Sequence, residues 1–244
     1  FNKFVGKQYN KFIKGNIHEI GSFISNNKRI MTNIKVREFL YISNYKANEL
    51  HEKILPHRTW KDYFSTEEKL LKNLNIYLTE RKKKIHILGA SRGDSKFHKL
   101  EKEYFYSFFS ENNMKFIEKT LSRDNYKIMD QSHIIIGIDS TLAYESLSRG
   151  IKTSFFSVRH NDKDFYSTKF GWPARLNSKG PFWTDSYSLK EINRVLDYLN
   201  RVEDKTWLKD IGKFTKKLII RDNQNKYFIK QMKLMKFPVQ RQSI

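Results

Sequence analysis

The sequence predicts an α/β fold, a Rossmann-like parallel sheet with helices on both faces. Short apolar runs alternate with longer mixed stretches along most of the chain. Strands separated by helices imply parallel pairing with both sheet faces covered. The run Ile134-Ile135-Ile136-Gly137-Ile138 is apolar throughout, as a strand buried on both faces requires. Ser65 with Glu68, and Ser188 with Glu191, form two Ser-x-x-Glu helix starts.

Residues 1–35 stand outside the alternation. They hold a lysine-rich helical stretch and then EIGSFISNN, and are read as the end of a preceding N-terminal domain or linker. The chain begins with Phe1 rather than Met, so it is read as a piece of a longer protein. Residues 36–215 are assigned to one Rossmann-like domain. In it, strands are expected at 36–43 (VREFLYIS), 84–90 (KIHILGA), 126–129, 133–138 and 152–157. Helices are expected at 65–81, 100–110, 142–148, from Ser188 to about Asn200, and at 205–218. Residues 216–244 are assigned to a basic, helical C-terminal tail, with a helix at 227–236.

Composition narrows the function. Hydrophobic residues make up 39% and aromatics 15% of the 244 residues, enough for a sizeable core. No apolar run approaches the roughly 18 residues of a membrane span. With no cysteine, disulfides, thiolate metal sites and cysteine nucleophiles are excluded. No Gly-x-Gly-x-x-Gly, Walker loop or Gly-x-Ser-x-Gly elbow is present. The seven histidines are scattered, which points to no metal site and no resident cofactor. The net charge of +21 attracts nucleic acid, anionic lipid or phosphorylated substrates. A composition rich in Lys, Asn and Ile accounts for part of it. The lysines are spread along the chain without a recognised nucleic-acid motif, so no nucleic-acid partner is expected.

The block IDSTLAYE carries the site. Ile138 ends a strand, and Asp139, Ser140 and Thr141 fall where the strand gives way to a helix. In parallel sheets ligands sit beyond these carboxyl ends. Free N–H groups and the positive end of the helix dipole suit a phosphate there. Glu145 lies four residues past Thr141, on the same helix face, where a carboxylate accepts from the hydroxyls of a ribose. The same spacing also fits a plain N-cap at Ser140 and a surface acid at Glu145. Arg149 follows one turn later and is a weaker candidate, since an ion pair explains it as well. Ser43 ends the first strand of the domain at the same edge. The loop Ser91-Arg92-Gly93 follows the second strand, where Arg92 is placed to hold a phosphate.

Residues 126–156 (YKIMDQSHIIIGIDSTLAYESLSRGIKTSFF) resemble the C-terminal, donor-binding domain of GT-B-type glycosyltransferases. The nearest likeness is to bacterial transferases of O-antigen and capsule biosynthesis. These carry a buried strand, Asp-Ser-Thr-Leu, a Glu four or five residues on, a Gly and a final strand, matched here by Asp139, Ser140, Thr141, Leu142, Glu145 and Gly150. REFLYISNY, EIGSFISNN and GPFWTDSYSLKEINRVLDYL resemble further elements of that group, so the likeness touches about two thirds of the chain. It implies that Ser140 and Thr141 contact the phosphate of a nucleotide-sugar donor and Glu145 its ribose. The acceptor would be a glycan or lipid-linked glycan. Related transferases place Lys-x-His-Pro after the second strand, whereas HILGASRGDS stands here. Two other readings stay open. One is a non-hydrolysing nucleotide-sugar epimerase, whose run of glycines after the Ser is replaced by Leu142-Ala143. The other is a basic nucleic-acid-binding module. The expected location is cytoplasmic. The tail, with Lys and Arg among Ile, Leu, Phe and Met, suggests peripheral contact with an anionic membrane face.

Overall fold

The computed structural model describes residues 2–30, 34–93, 95–120 and 124–235. The chain opens with short helices α1 (Lys3–Tyr9) and α2 (Phe23–Asn27). Then follow β1 (Arg37–Ile42), a small hairpin of β2 (Lys53–Leu55) and β3 (Arg58–Thr59), α3 (Trp60–Glu80), β4 (Ile85–Arg92), α4 (Lys96–Tyr106) and β5 (Met114–Lys119). The second half holds α5 (Asn125–Asp130), β6 (Ser132–Gly137), α6 (Thr141–Ser148), β7 (Lys152–Phe156), β8 (Lys179–Gly180), β9 (Trp183–Thr184), α7 (Leu189–Arg201), α8 (Asp204–Leu218) and α9 (Lys226–Leu234).

The main sheet has the order β5-β4-β1-β6-β7-β9-β8. Its pairs are parallel except for the short β8–β9 turn-back. This is the Rossmann-like fold expected from the sequence. The strand order runs outward from β1 in both directions, so the switch point lies between β1 and β6, where a crevice opens at the carboxyl ends. Register places Tyr41 of β1 beside Ile87 of β4 and Ile136 of β6. Ile134, Ile135 and Ile136 have no exposed surface, and each contributes about 1.5–3 kcal/mol by burial. Gly137 ends β6 because a Cβ there would stand 2.5 Å from the Ala143 Cβ. α6 can therefore pack tightly against the strand that feeds it. Beyond β7, rings of Tyr144, Phe155, Phe170, Phe182 and Trp183 pack with centroids 4.5–5.9 Å apart, closing that end of the core.

Several expected elements shift. α3 starts at Trp60, not Ser65, because Thr59 and Asp62 form the reciprocal capping box. Ser65 lies inside the helix and its hydroxyl donates to the Asp62 carbonyl at 2.8 Å. α4 begins earlier than expected, capped by Ser95, which accepts from the Phe97 N–H. The segment expected as a strand at 126–129 is helix α5. Asp124 caps it by accepting from the N–H groups of Tyr126 at 2.9 Å and Lys127 at 3.2 Å, and its short apolar run winds into a turn that buries Met129. The third strand on that side is β5, in which Met114 and Phe116 alternate with Lys115. That pattern suits a sheet edge, where charge discourages pairing with another chain.

The expected boundary at residue 216 falls within α8. Residues of the first segment interlock with the end of α8 and the residues after it. Asn2 Nδ2 donates to the Lys217 carbonyl at 2.9 Å, and Gly21 bridges Arg221 in antiparallel fashion. Asn26 Nδ2 donates to Asn225 Oδ1 at 2.9 Å, and Phe23 and Phe228 meet edge to face at 5.2 Å. The tail after residue 235 lies outside the described residues.

Arg149 ties this interlocked pair to the sheet domain. Its Nε and Nη2 donate to the two Asp130 oxygens at 2.9 and 2.5 Å. The other donors reach the carbonyls of Ser25, Lys28 and Arg29. Both side chains of the ion pair are at most 1% exposed. Truncating one partner of such a pair leaves a buried charge and costs about 3–5 kcal/mol. Arg149→Met should therefore lower the urea-unfolding free energy by about that much. An unchanged midpoint and slope would show the pair to be energetically idle.

Candidate functional site

The crevice between β1 and β6 is crossed by one hydrogen-bonded network. Asp139 follows the end of β6 and Asn44 the end of β1. Asp139 Oδ1 accepts from Asn44 Nδ2 at 2.6 Å and from Arg159 Nη1 at 2.8 Å. Its Oδ2 accepts from the Tyr63 hydroxyl of α3. Arg159 Nη2 donates to Asn44 Oδ1 at 3.1 Å and to the Glu67 carboxylate. Arg159 has no exposed surface and Glu67 only 1%. Its guanidinium lies over the Tyr63 and Phe64 rings, 4.3 and 5.2 Å from their centroids.

Immediately beyond stands the amino end of α6. Ser140 is its N-cap in extended geometry, φ −70°, ψ 130°, and its side chain makes no capping hydrogen bond. Thr141 is exposed. The first N–H groups of a helix have no intrahelical acceptor, so the Ser140 and Thr141 hydroxyls lie beside free N–H groups at the helix amino end. Glu145 sits one turn down, 8% exposed. Its Oε1 accepts from the Ser22 hydroxyl at 2.5 Å and its Oε2 from the Tyr126 hydroxyl at 3.0 Å. Burial, then the neighbouring Glu145 carboxylate, pushes the Tyr126 hydroxyl up, which keeps it a donor. A carboxylate offers about four acceptor positions, so each Glu145 oxygen retains one after these two contacts.

Other expected site residues are engaged within the chain. Arg149 spends all five N–H donors on Asp130 and three carbonyls. It has none left for a donor, which corrects the role expected for it. Ser43 donates to Glu101 Oε1 at 2.6 Å and accepts from the Tyr45 N–H at 3.2 Å. Glu101, fully buried, also accepts from the N–H groups of Ala90 at 2.8 Å and Ser91 at 2.7 Å. The carboxyl end of β4 therefore meets an internal carboxylate next to the loop where a phosphate was expected. The Arg92 backbone closes β4, and its side chain lies outside the described residues. Among the described residues no group of His, Asp and Glu is arranged to hold a metal ion.

The site also holds residues that the motif did not include. Ser22 lies 123 positions from its partner Glu145. Arg159 and Tyr63 reach Asp139 from two other elements, and Glu67 joins them through Arg159. A charge within the apolar face of α3, Glu67 between Phe64 and Leu70–Leu71, is the signal that marks such a network.

Burial pushes the Glu67 carboxyl up to about 7, against the opposing pull of Arg159, and Asp139 adds to the rise. Between pH 4.5 and 7 the folded state therefore holds a proton at Glu67 that the unfolded chain releases. Stability from this group is present below pH 4.5 and declines as pH rises to about 7. The stability difference between wild type and Glu67→Gln should shift against the wild type by on the order of 3 kcal/mol over that window. Urea unfolding at stepped pH measures it, and parallel curves would exclude the linkage.

No curated protein matches the chain. A similar solved structure is UDP-GlcNAc 2-epimerase from Neisseria meningitidis bound to UDP-GlcNAc, at 13% identity and a TM-score of 0.38. The match covers 82% of this chain and 45% of the epimerase chain, so this chain spans less than half the length of that protein. A family model described as "putative O-antigen biosynthesis protein" matches residues 1–236. The chain, with its Rossmann-like sheet and the Ser140–Glu145 block at the switch point, belongs to that O-antigen biosynthesis family.

Proposed function

We propose that the chain is the donor-binding half of a metal-independent glycosyltransferase that moves a sugar from a nucleotide-sugar to a surface-polysaccharide acceptor. The observation that supports this most is the amino end of α6. It presents uncommitted Ser140 and Thr141 hydroxyls above a fixed Glu145 carboxylate. The helix end and hydroxyls suit a diphosphate, and Glu145 suits the ribose diol. In the reaction the bond between sugar C1 and the phosphate oxygen breaks. An acceptor hydroxyl oxygen bonds C1 and releases its proton, and the nucleoside diphosphate leaves. Donors aimed at the leaving phosphate lower that barrier. No residue of this chain is assigned as the base.

Epimerisation of a nucleotide-sugar is the alternative chemistry. Leu142 and Ala143, in place of small glycines after the hydroxyl pair, favour transfer. Incubation with a nucleotide-sugar and no acceptor separates the two, since an epimerase then yields a second sugar isomer and a transferase does not. Ser22 and Tyr126 hold Glu145 by one hydrogen bond each, and Glu145 completes the donor contact. Glu145→Gln should weaken nucleotide binding by about 1.5–3 kcal/mol, roughly ten- to a hundredfold, with little change in melting temperature. Calorimetry on a panel of uridine, cytidine and guanosine diphosphates tests this. Retained affinity with a lowered melting temperature would make Glu145 structural and remove the donor reading.

The same chain meets a membrane surface peripherally in this reading. Among the described residues no helix is long and apolar enough to cross a bilayer. Lys11, Phe12, Ile13 and Lys14 are exposed together, Phe12 at 86%. The C-terminal segment adds Lys233, Leu234 and Met235, also exposed. Apolar side chains set among lysines suit an anionic interface. Phe12→Glu with Leu234→Glu should abolish co-sedimentation with phosphatidylglycerol vesicles at low salt. Sedimentation unaffected by both substitutions would rule this surface out.

A further inference from the structure

We propose that Arg159 is a positioning residue for phosphate binding: by holding Asp139 it fixes the Ser140–Thr141 turn and the first N–H groups of α6 in the geometry that receives a diphosphate. The inference rests on the donor-site reading above and adds a residue to it.

The turn does not set its own geometry. The Ser140 side chain makes no capping bond, and α6 has only eight residues, too short to hold itself without tertiary contacts. What fixes the entry to the helix is the residue before it. Both Asp139 oxygens are occupied, Oδ1 by Asn44 at 2.6 Å and Arg159 at 2.8 Å, and Oδ2 by Tyr63. Arg159 links three further groups with one planar fork. Nη1 goes to Asp139 at the end of β6, and Nη2 to Asn44 after β1 and to Glu67 in α3. A lysine offers a point charge and not this fork. With no exposed surface, Arg159 does not touch a ligand itself, so its influence passes through Asp139.

A buried cation between two carboxylates is an expensive way to hold a fold, since an apolar replacement of equal volume is often as stable. The register it imposes across the crevice is what an apolar cluster does not supply. A network that only held the fold would predict equal losses for every ligand when weakened. A network that aims the phosphate turn predicts losses confined to ligands that carry phosphate.

Full-length chain, Arg159→Lys and the milder Tyr63→Phe are compared by calorimetry. The probes are the diphosphate that wild type binds best among uridine, cytidine and guanosine diphosphates, its free nucleoside, and inorganic pyrophosphate. Amide chemical shifts of Thr141 and Leu142 are followed on adding pyrophosphate. Arg159→Lys should weaken diphosphate and pyrophosphate about tenfold or more, while the nucleoside stays within about twofold. The Thr141 and Leu142 amides should stop responding to pyrophosphate. Tyr63→Phe should show the same selectivity at about threefold. It carries the test if Arg159→Lys does not fold. Equal losses for nucleoside and diphosphate, or unchanged diphosphate affinity, overturn the inference and leave the donor reading standing. Wild type that binds neither any diphosphate nor pyrophosphate overturns both.

Discussion

Arg159 is buried without exposed surface, and its guanidinium is shared among Asp139, Asn44 and Glu67. Removing an ion from water costs several kcal/mol even after relaxation, so the cation persists only because its partners surround it. Those partners come from the ends of β1 and β6 and from α3, and Arg159 itself follows β7. One side chain therefore couples the two halves of the sheet where the strand order reverses. Such a crevice is open by topology. Here its floor is polar and cross-linked by hydrogen bonds, and the amino end of α6 stands at its edge.

A second buried guanidinium does the corresponding work on the flank. Arg149 joins Asp130 of α5 to the carbonyls of the first segment, and that segment locks to the residues after α8 through Asn26 and Asn225. The consequence reaches the site. Gly21 takes φ +69° at the bridge to Arg221, where a Cβ would stand 2.1 Å from the Ile220 carbonyl oxygen, and this turn delivers Ser22 to Glu145. The Glu145 carboxylate is thus oriented by Arg149's hold on the first segment, although Arg149 itself is turned away from the crevice. Arg149 and Glu145 lie one turn apart on one helix, and both meet Tyr126: the Arg149 guanidinium lies 5.3 Å from its ring centroid and Glu145 accepts from its hydroxyl.

Much of this was legible in the sequence, for identifiable reasons. β1, β4 and β6 are central strands with largely apolar runs, β7 is buried throughout although it opens with Lys152-Thr153-Ser154, and a parallel sheet follows from their spacing. β5 escaped because an edge strand alternates Met114 and Phe116 with lysine, a weak pattern beside a helix-rich neighbour. Residues 126–129 read as a strand from their side chains alone, and the Asp124 cap decided otherwise. The Ser-Thr-Leu-x-x-Glu block was visible because its parts are adjacent. Ser22 and Arg159 were not, because their partners lie 123 and 20 positions away and no local periodicity encodes such a pairing. Glu67 is intermediate, a lone acid on an apolar helix face that announces a buried partner without naming it.

The carboxyl ends of β4 and β6, on either side of β1, have opposite fates. At the carboxyl end of β4, the N–H groups of Ala90 and Ser91 and the Ser43 hydroxyl all converge on Glu101, a carboxylate that the chain supplies. A second anion there would meet like charge in a site without solvent, at a cost that grows as the dielectric falls. After β6, the corresponding acid, Asp139, points back into the network and its oxygens are spent on Asn44, Tyr63 and Arg159. Its charge is compensated from behind, and Ser140 and Thr141 are left in front with the helix amino end. Asp139, two residues past the end of β6, turns its carboxylate into the network. The chain has thus filled the donors at one strand end from within, while the Ser140 side chain at the other makes no capping hydrogen bond.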